Sequence, residues 1–481
     1  MLENIDNTKV FSYFEEISRI PRGSGNNTAI SSYLVSFAKE HNLKYRQDEA
    51  ENVIIWKEAT KGYEDRPTVI LQGHMDMVCE KELDSPHDFT SEGLELEMEG
   101  DFISAKGTTL GGDDGIAIAY ALAILADDSI VHPPLEIVIT TDEETGMDGA
   151  IALNPSDLKG KYFINLDSED EGIILTSCAG GMSVNGTYAF ARVKKEGYLV
   201  NIVIDGLQGG HSGTEIDKNR ENAVHMLGRI MSELKRKGRT FSIVHMEGGL
   251  KDNAIPRNSK LVLCVTDQDG IQKDVQCILD MLKKEIEGRE MNAKFSFSIS
   301  EKQIVDIVDE EMTKNIVFFL AHVPNGVLKM SAAIPELVES SLNLGICETK
   351  DNEIFFSFSI RSSISSYKQY IGDCIHDLLT VTGGTYEQKS EYPAWEYRKD
   401  SPLRNILVDV YEKQYKEKPK IEAIHAGLEC GIIAEKMPDL DMVSIGPNIY
   451  DIHTPKEALE ISSTKRVYQY LLEVLRTICE K

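Results

Sequence analysis

The sequence has no long hydrophobic run, no paired cysteines and no basic block, and each absence removes a class of function. Its longest uninterrupted apolar stretch, Ile116–Ala126, is 11 residues long and is flanked by aspartates. A membrane-spanning helix needs about 20 such residues, so no membrane partner is expected. The chain begins MLENIDNTKVFSYFEE, with neither a basic nor an apolar leader segment, so secretion is not expected either. Its 8 cysteines fall singly at positions 79, 178, 264, 277, 347, 374, 430 and 479. That scatter fits reduced thiols better than a disulfide framework or a zinc ribbon, and it predicts a cytoplasmic protein. Lys and Arg number 51 against 79 Asp and Glu, a net charge of −28. With no segregated basic face, this charge repels nucleic acid. The acidity reads as solubility, and no partner follows from it.

What is present is an ordinary globular composition, 41% hydrophobic and 27% charged, in 481 residues. That length predicts two or three domains, or one domain carrying a large insertion. Over residues 1–185, short β-branched runs at Val69–Leu71, Leu135–Thr140 and Tyr162–Leu166 alternate with helical patterns, notably the alanine-rich Gly115–Asp128. Such alternation is the signature of an α/β layer fold. From about Gly186 the texture changes. YLVNIVID, TFSIVHM, KLVLCVTD, KFSFSIS and IFFSFSI read as strands, with amphipathic helices near Asn222–Lys235 and Gln272–Ile286. Alternation with one wet face predicts antiparallel sheet covered by helices on one side. After Pro393 the α/β texture returns, with helices near Arg404–Lys416, Gly427–Lys436 and Ser463–Glu480 around the strand MVSIG. The expected organisation is therefore a catalytic three-layer α/β domain with a mixed central sheet. It is built from residues 1–185 and 393–481 and interrupted by an α+β insertion over 186–392.

The chemistry-bearing residues gather at predicted strand ends. VILQGHMDMV delivers His74 and Asp76; side chains two apart on a strand face the same way, so both can meet at the strand's carboxyl end. GTTLGGDDG places Asp113 and Asp114 just before the alanine-rich helix. A phosphate cradle is the rival reading of that loop, but it lacks the GK[ST] sequence and its carboxylates would repel phosphate. TTDEETG carries Glu143 and Glu144, INLDSED carries Asp167, and SIGPNIYDIHTP carries His453. Singly, each has a bland reading: a solvated glutamate pair, a helix cap, a structural histidine. Together they bring histidine and carboxylate to one edge of an α/β sheet, where such folds place their sites. Clustered carboxylates repel unless protons or cations intervene, and two divalent metals would relieve that repulsion. Mixed imidazole and carboxylate donors suit zinc, manganese or cobalt.

The motifs GHMDMV, LGGDDGIA, TTDEETG, INLDSED and IHTP resemble the series found in the dinuclear-zinc exopeptidases of the aminoacylase/carboxypeptidase clan. The likeness is greatest to the bacterial aminoacyl-histidine (Xaa-His, cytosol non-specific) dipeptidases. It extends over IPRGSGNN, GLQGGHSGTEID, GGLKDNAIPRNS, FSIRSS and IHAGLECG. The resemblance implies two metal ions per subunit, zinc first, with cobalt or manganese as alternatives. It makes His74, Asp113, Glu144, Asp167 and His453 the ligands, Asp113 bridging both metals. It makes Asp76 the residue that orients His74 and Glu143 the general base. A cis peptide between Asp113 and Asp114 is also implied. The insertion then resembles a lid in which Arg361 grips the substrate's free carboxylate, His211 stabilises the oxyanion, and Asn253 and Gly427 make neighbouring contacts. In similar enzymes the lid also mediates dimerisation, so a homodimer is implied.

The implied reaction is hydrolysis of an unblocked dipeptide, of the Xaa-His type or a broader range, with Glu143 deprotonating a water held between the metals. An N-acyl-amino-acid deacylase of the same clan would share every ligand. A non-catalytic, metal-stabilised peptide-binding protein would have no need of Glu143. GGDDG and HTP depart from the commoner GADNG and HSP of the family without changing a ligand.

Overall fold

A computed structural model describes Leu2, Ile5 and residues 8–481 of the chain. The chain divides into two compact units. One runs to Ser177 and resumes over Tyr397–Ala423 and Leu428–Lys481; the other comprises Cys178–Glu396 and Ile424–Gly427. Position 186 falls inside the strand Gly180–Ala189, which belongs wholly to the second unit's sheet. The change of unit therefore comes at Cys178, before that strand starts pairing.

The first unit is built on an eight-stranded sheet in the order Lys44–Gln47, Val53–Lys57, Leu135–Thr140, Val69–His74, Tyr162–Asn165, Asp441–Ser444, Ile173–Cys178, Lys420–Ile424. The four central strands run parallel, while the flanking pairs that include Val53–Lys57 and Ile173–Cys178 run antiparallel. Val69–His74 and Leu135–Thr140 are buried along their whole length. That is why they read as continuous apolar runs with no alternation. Because the four are parallel, their carboxyl ends share one edge, with His74 level with Thr140 and Gln72 level with Asn165. The sheet is mixed and helices pack against it, the α/β class that the alternating texture implies.

The helix Gly112–Ala126 is buried from Gly112 through Leu125, so it packs as a core element on every side. Its start is irregular. Gly111 takes the left-handed conformation at φ 64°, Asp113 and Asp114 lie outside helical dihedrals, and the peptide bond between these two aspartates is cis. A small four-stranded sheet combines Leu96–Glu99 and Phe102–Ala105 with the hairpin Ile449–Tyr450 and Ala458–Glu460. Residues 451–457 form the tip of that hairpin and carry His453.

The second unit holds a ten-stranded sheet, antiparallel in its pairings, whose main path is Lys294–Ile299, Arg192–Asp205, Ser259–Val265, Ser242–Gly248, Val338–Thr349, Glu353–Ser362, Gly180–Ala189, Thr385–Tyr392. The helices Ala223–Arg236, Ile271–Glu285, Glu310–His322 and Ser365–Val381 bury their apolar stripes in a common core with the strands. Asn222 caps the first of these, its side chain accepting from the backbone N–H groups of Val224 and His225.

The buried helix of the first unit ends on a cation from a neighbouring strand. Lys57, itself buried, donates its Nζ to the carbonyls of Ile124, Leu125 and Asp127, each at 3.1 Å. These are the last-turn acceptors that have no partner inside the helix. Replacing Lys57 with Met is expected to strand those buried carbonyls and lower stability by about 3 kcal/mol. Equilibrium urea unfolding measures this, and an unchanged midpoint would contradict it.

Candidate active site

His74 ends its strand, and its ring Nε2 lies 3.0 Å from Asp113 Oδ1 and 3.5 Å from Asp167 Oδ1. The other ring nitrogen, Nδ1, lies 3.2 Å from Asp76 Oδ1. Asp76 is past the strand end rather than on it, since the ladder stops at His74. It is held there by Ser24 Oγ at 2.7 Å and by the backbone N–H groups of Glu143 and Glu144. On the other side of Asp113, His453 Nε2 lies 3.1 Å from Asp113 Oδ2 and 3.1 Å from Glu144 Oε1. Asp113 thus presents one carboxylate oxygen to each imidazole. His74, Asp113 and Glu144 each offer a donor atom within 4.8 Å of the others, as do His74, Asp114 and Asp167. Of the adjacent aspartates, Asp114 already accepts the backbone N–H of His74 at 3.2 Å.

The electrostatics follow from burial and crowding. Burial opposes a charge on His74, but Asp167, Asp113 and Asp76 outweigh it and raise its pKa well above 6.5. Hydrogen bonds to Asp113 and Glu144 raise His453 to about 10. Asp113 is pulled down despite its burial, because both imidazoles bond to it. Burial pushes Asp114 and Asp167 up, and it pushes Glu143 to about 8. A carboxyl held up in this way is suited to taking and returning a proton near neutral pH. The cluster holds far more carboxylates than imidazoles. Asp113 lies between the two imidazoles, with Asp167 beside His74 and Glu144 beside His453. This donor set fits a pair of divalent cations of borderline softness, with Asp113 as the shared ligand.

Beneath this cluster runs a second layer of buried polar side chains. Glu429 Oε2 accepts from Gln72 Nε2 at 2.5 Å and Thr140 Oγ1 at 2.7 Å; Gln72 Oε1 accepts from Asn165 Nδ2 at 2.8 Å. Ser444 Oγ then donates to Asn165 Oδ1 and meets Ser168 Oγ. Gln72 lies two positions before His74 on its strand, and Asn165 ends the strand that leads to Asp167, so the layer braces the segments that present those two side chains. Sequence reasoning passed over Glu429, although it stands in the IHAGLECG segment. It also passed over two other buried charges, Arg22 in IPRGSGNN and Glu457 just after IHTP. An acidic residue at a helix start or hairpin tip reads as solvated, and only the fold buries it.

The second unit brings together the remaining expected residues. His211 pairs with Ala254 in a two-residue ladder, and Ser212 N–H donates to Asn253 O at 2.9 Å, so His211 and Asn253 are neighbours. His211 Nδ1 accepts from the backbone N–H groups of Gly213 and Thr214 at 3.3 and 3.2 Å. The ring proton therefore resides on Nε2. Burial, and then the Arg361 cation, lower the pKa of His211, which keeps it a neutral donor. Arg361 is buried and donates Nη1 to Tyr392 Oη at 2.8 Å. Gly427 faces the Tyr392 ring so closely that a Cβ there would stand 2.7 Å from Cε2. Close by in the same unit, His425 Nε2 meets Ser341 Oγ at 2.7 Å.

Comparison with known proteins gives a consistent picture. A family model described as peptidase family M20/M25/M40 matches residues 70–477. The chain is 35% identical to the cytosol non-specific dipeptidase of Escherichia coli K12, over 100% of this chain and 99% of that protein. It superimposes on the crystal structure of an aminoacylhistidine dipeptidase from Vibrio alginolyticus with a TM-score of 0.94 and 34% identity, covering 99% and 98% of the two chains. The aminopeptidase PepT of Bacillus cereus shares the fold, with a TM-score of 0.57 at 16% identity, covering 99% and 100%.

Burial and the Arg361 cation push His425 from 6.5 down to about 3. The unfolded chain therefore takes up a proton near pH 6.5 while the folded unit refuses it. Its stabilising contribution is intact above pH 6.5 and is lost as pH falls toward 3, at about 1.4 kcal/mol per pH unit. Unfolding midpoints of wild type and His425→Gln, measured from pH 7.5 to 4.5, test this. The wild-type curve is expected to fall more steeply, and parallel curves would contradict the assignment.

Proposed function

This chain belongs to peptidase family M20/M25/M40, and from that membership we propose that it is a metal-dependent dipeptidase. Its substrates are unblocked dipeptides, with Xaa-His sequences among them. The full-length likeness to two dipeptidases supports the substrate class. The metal reading rests above all on Asp113, whose two carboxylate oxygens each face a different imidazole. On this reading His74, Asp113 and Asp167 hold one divalent cation, and Asp113, Glu144 and His453 hold the other. Zinc is the metal proposed, with cobalt or manganese as alternatives. Bound there, the two cations supply Lewis acidity toward the scissile carbonyl and acidify water at neutral pH.

The chain's own groups do the rest. Asp76 fixes the ring of His74 through Nδ1 and so aims Nε2. Glu143 takes a proton from the attacking water, whose oxygen bonds to the carbonyl carbon, and passes that proton to the amine nitrogen as the C–N bond breaks. His211, with its proton on Nε2, donates to the developing oxyanion, assisted by Asn253. Arg361 pairs with the free carboxylate of the second residue, where a planar guanidinium is apt. Gly427 leaves room for the Tyr392 ring and offers backbone contact to the substrate. The same reading includes a homodimer formed through the second unit and residence in the cytosol, the compartment named for the Escherichia coli relative. Among the described residues, no helix is long and apolar enough to cross a membrane.

Purified protein stripped with chelator and reloaded with zinc, manganese or cobalt is expected to release amino acids from free dipeptides and not from N-acetylated ones. Turnover of acetylated substrates alone would favour the deacylase. Glu143→Gln is expected to keep its metals while kcat falls by about 10²–10⁴; near-normal turnover would remove Glu143 from the role of base. Tyr392→Phe frees Arg361 from its hydroxyl partner. It is expected to raise KM about tenfold with little change in kcat, the pattern of a lost charge-assisted contact. An unchanged KM would show that Tyr392 does not set the guanidinium.

A further inference from the structure

The glycine-rich loop before the buried helix does cradle an anion, but the anion is internal. Glu457, 2% exposed, accepts four successive backbone N–H groups. Its Oε2 takes those of Leu110 at 2.8 Å and Gly111 at 3.1 Å, and its Oε1 takes those of Gly112 at 2.8 Å and Asp113 at 3.4 Å. They belong to the loop and first residues that lead into the helix Gly112–Ala126, whose N-cap residue Gly111 offers no side-chain cap. The cradled carboxylate comes from the hairpin tip that also carries His453, four positions earlier. One side chain therefore ties the loop presenting Asp113 to the loop presenting His453.

A second buried charge completes the tie. Arg22, 1% exposed, donates Nη1 to the carbonyls of Met75 and Asp76, each at 3.1 Å, and Nη2 to the carbonyl of Gly111. Gly111 and Gly115 make room for it, since a Cβ at either would stand 2.5 Å from Nη2. Thus Arg22 joins the segment after His74 to the glycine loop, and Glu457 joins the glycine loop to the His453 hairpin. His453 itself sits at φ 60°, a left-handed conformation that is unfavourable for a non-glycine residue. Such a conformation persists only where the surroundings hold it. Glu457 N–H bonding to Thr454 O at 3.1 Å closes the turn, and the four N–H contacts of the Glu457 carboxylate anchor it.

We propose that Glu457 is a positioning residue for the second cation, the one assigned to Asp113, Glu144 and His453, and that it sets the distance between the Asp113 and His453 loops. The proposal rests on the metal reading given above. Of the first cation's three ligands only Asp113 shares the loop that Glu457 holds, while His74 ends one strand and Asp167 follows another, both braced by the Gln72–Asn165 layer. Two of the second cation's ligands, Asp113 and His453, sit on the loops that Glu457 joins. Loss of the Glu457 carboxylate therefore affects the two cations unequally. That asymmetry separates positioning from a plain helix cap.

The test is stepwise Zn²⁺ binding to chelator-stripped full-length protein by titration calorimetry, with metal content after dialysis and unfolding temperature recorded in parallel. Wild type is expected to bind two equivalents. Glu457→Gln keeps the size of the side chain but turns an NH₂ toward backbone donors. It is expected to retain the first equivalent and to bind the second about 10–100-fold more weakly. Glu457→Asp keeps the charge with a shorter reach, and is expected to weaken the second equivalent by a smaller factor. It carries the test if the Gln variant does not fold. Two equivalents bound by both variants as in wild type would overturn the proposal. So would equal weakening of both equivalents alongside a lower unfolding temperature, which would leave Glu457 as a cap alone. A wild-type protein that binds fewer than two equivalents would instead overturn the metal reading on which the proposal stands.

Discussion

Mutual repulsion among buried carboxylates governs the first unit. Asp76, Asp113, Asp114, Glu143, Glu144, Asp167, Glu429 and Glu457 crowd one edge of its sheet, with His74, His453 and Arg22 as the cationic groups among them. Isolated buried charges are costly unless paired or hydrogen-bonded. The fold answers each in a different way. Asp76 takes a serine hydroxyl and two backbone N–H groups. Glu457 takes a helix N-terminus, and Glu429 takes a glutamine and a threonine. Asp113 is stabilised chiefly by the two imidazoles on either side of it. The charge that remains is what a pair of divalent cations would neutralise, so the same repulsion accounts for both the bracing layer and the chemistry.

The second unit presents the opposite electrostatics. Around Arg361 it holds two imidazoles, the half-buried His211 and the buried His425, and their pKa values move down, chiefly through burial and further through the guanidinium. Arg361 is thereby left as the charged group of that cluster, and His211 is a neutral donor of fixed tautomer. This division suits recognition of one carboxylate with a separate hydrogen bond to an uncharged or developing oxygen. Tyr392 connects the two halves of the cluster, bonding Arg361 by its hydroxyl and packing its ring against Gly427.

The cluster of His74, Asp113, Glu144, Asp167 and His453 was legible because its residues sit in short motifs at or just past the ends of apolar runs, where an α/β sheet concentrates its chemistry. The parallel core strands were legible for the same reason, as uninterrupted β-branched runs. The strand Val338–Thr349 was not. It buries Ser340, Ser341 and Asn343, whose partners are Ser362, His425 and the carbonyls of Asp252 and Ala254. It is buried on both faces, with Leu342 and Leu344 in the core beside these polar side chains, so no apolar–polar alternation marks it. Arg22, Glu429 and Glu457 were hidden for a related reason. Their partners are backbone groups or residues tens to hundreds of positions away. Asp76 was found but misplaced, since the spacing rule for strands fails where the ladder ends at His74. The glycine loop carries anion-binding backbone geometry, and Glu457 fills it.

The most direct test of this account is an anomalous-scattering crystal structure recorded at the zinc edge from zinc-loaded protein. The account predicts two peaks about 3.5–4 Å apart, one contacting His74, Asp113 and Asp167 and the other contacting Asp113, Glu144 and His453. A single peak, or two peaks that do not share Asp113, would contradict it.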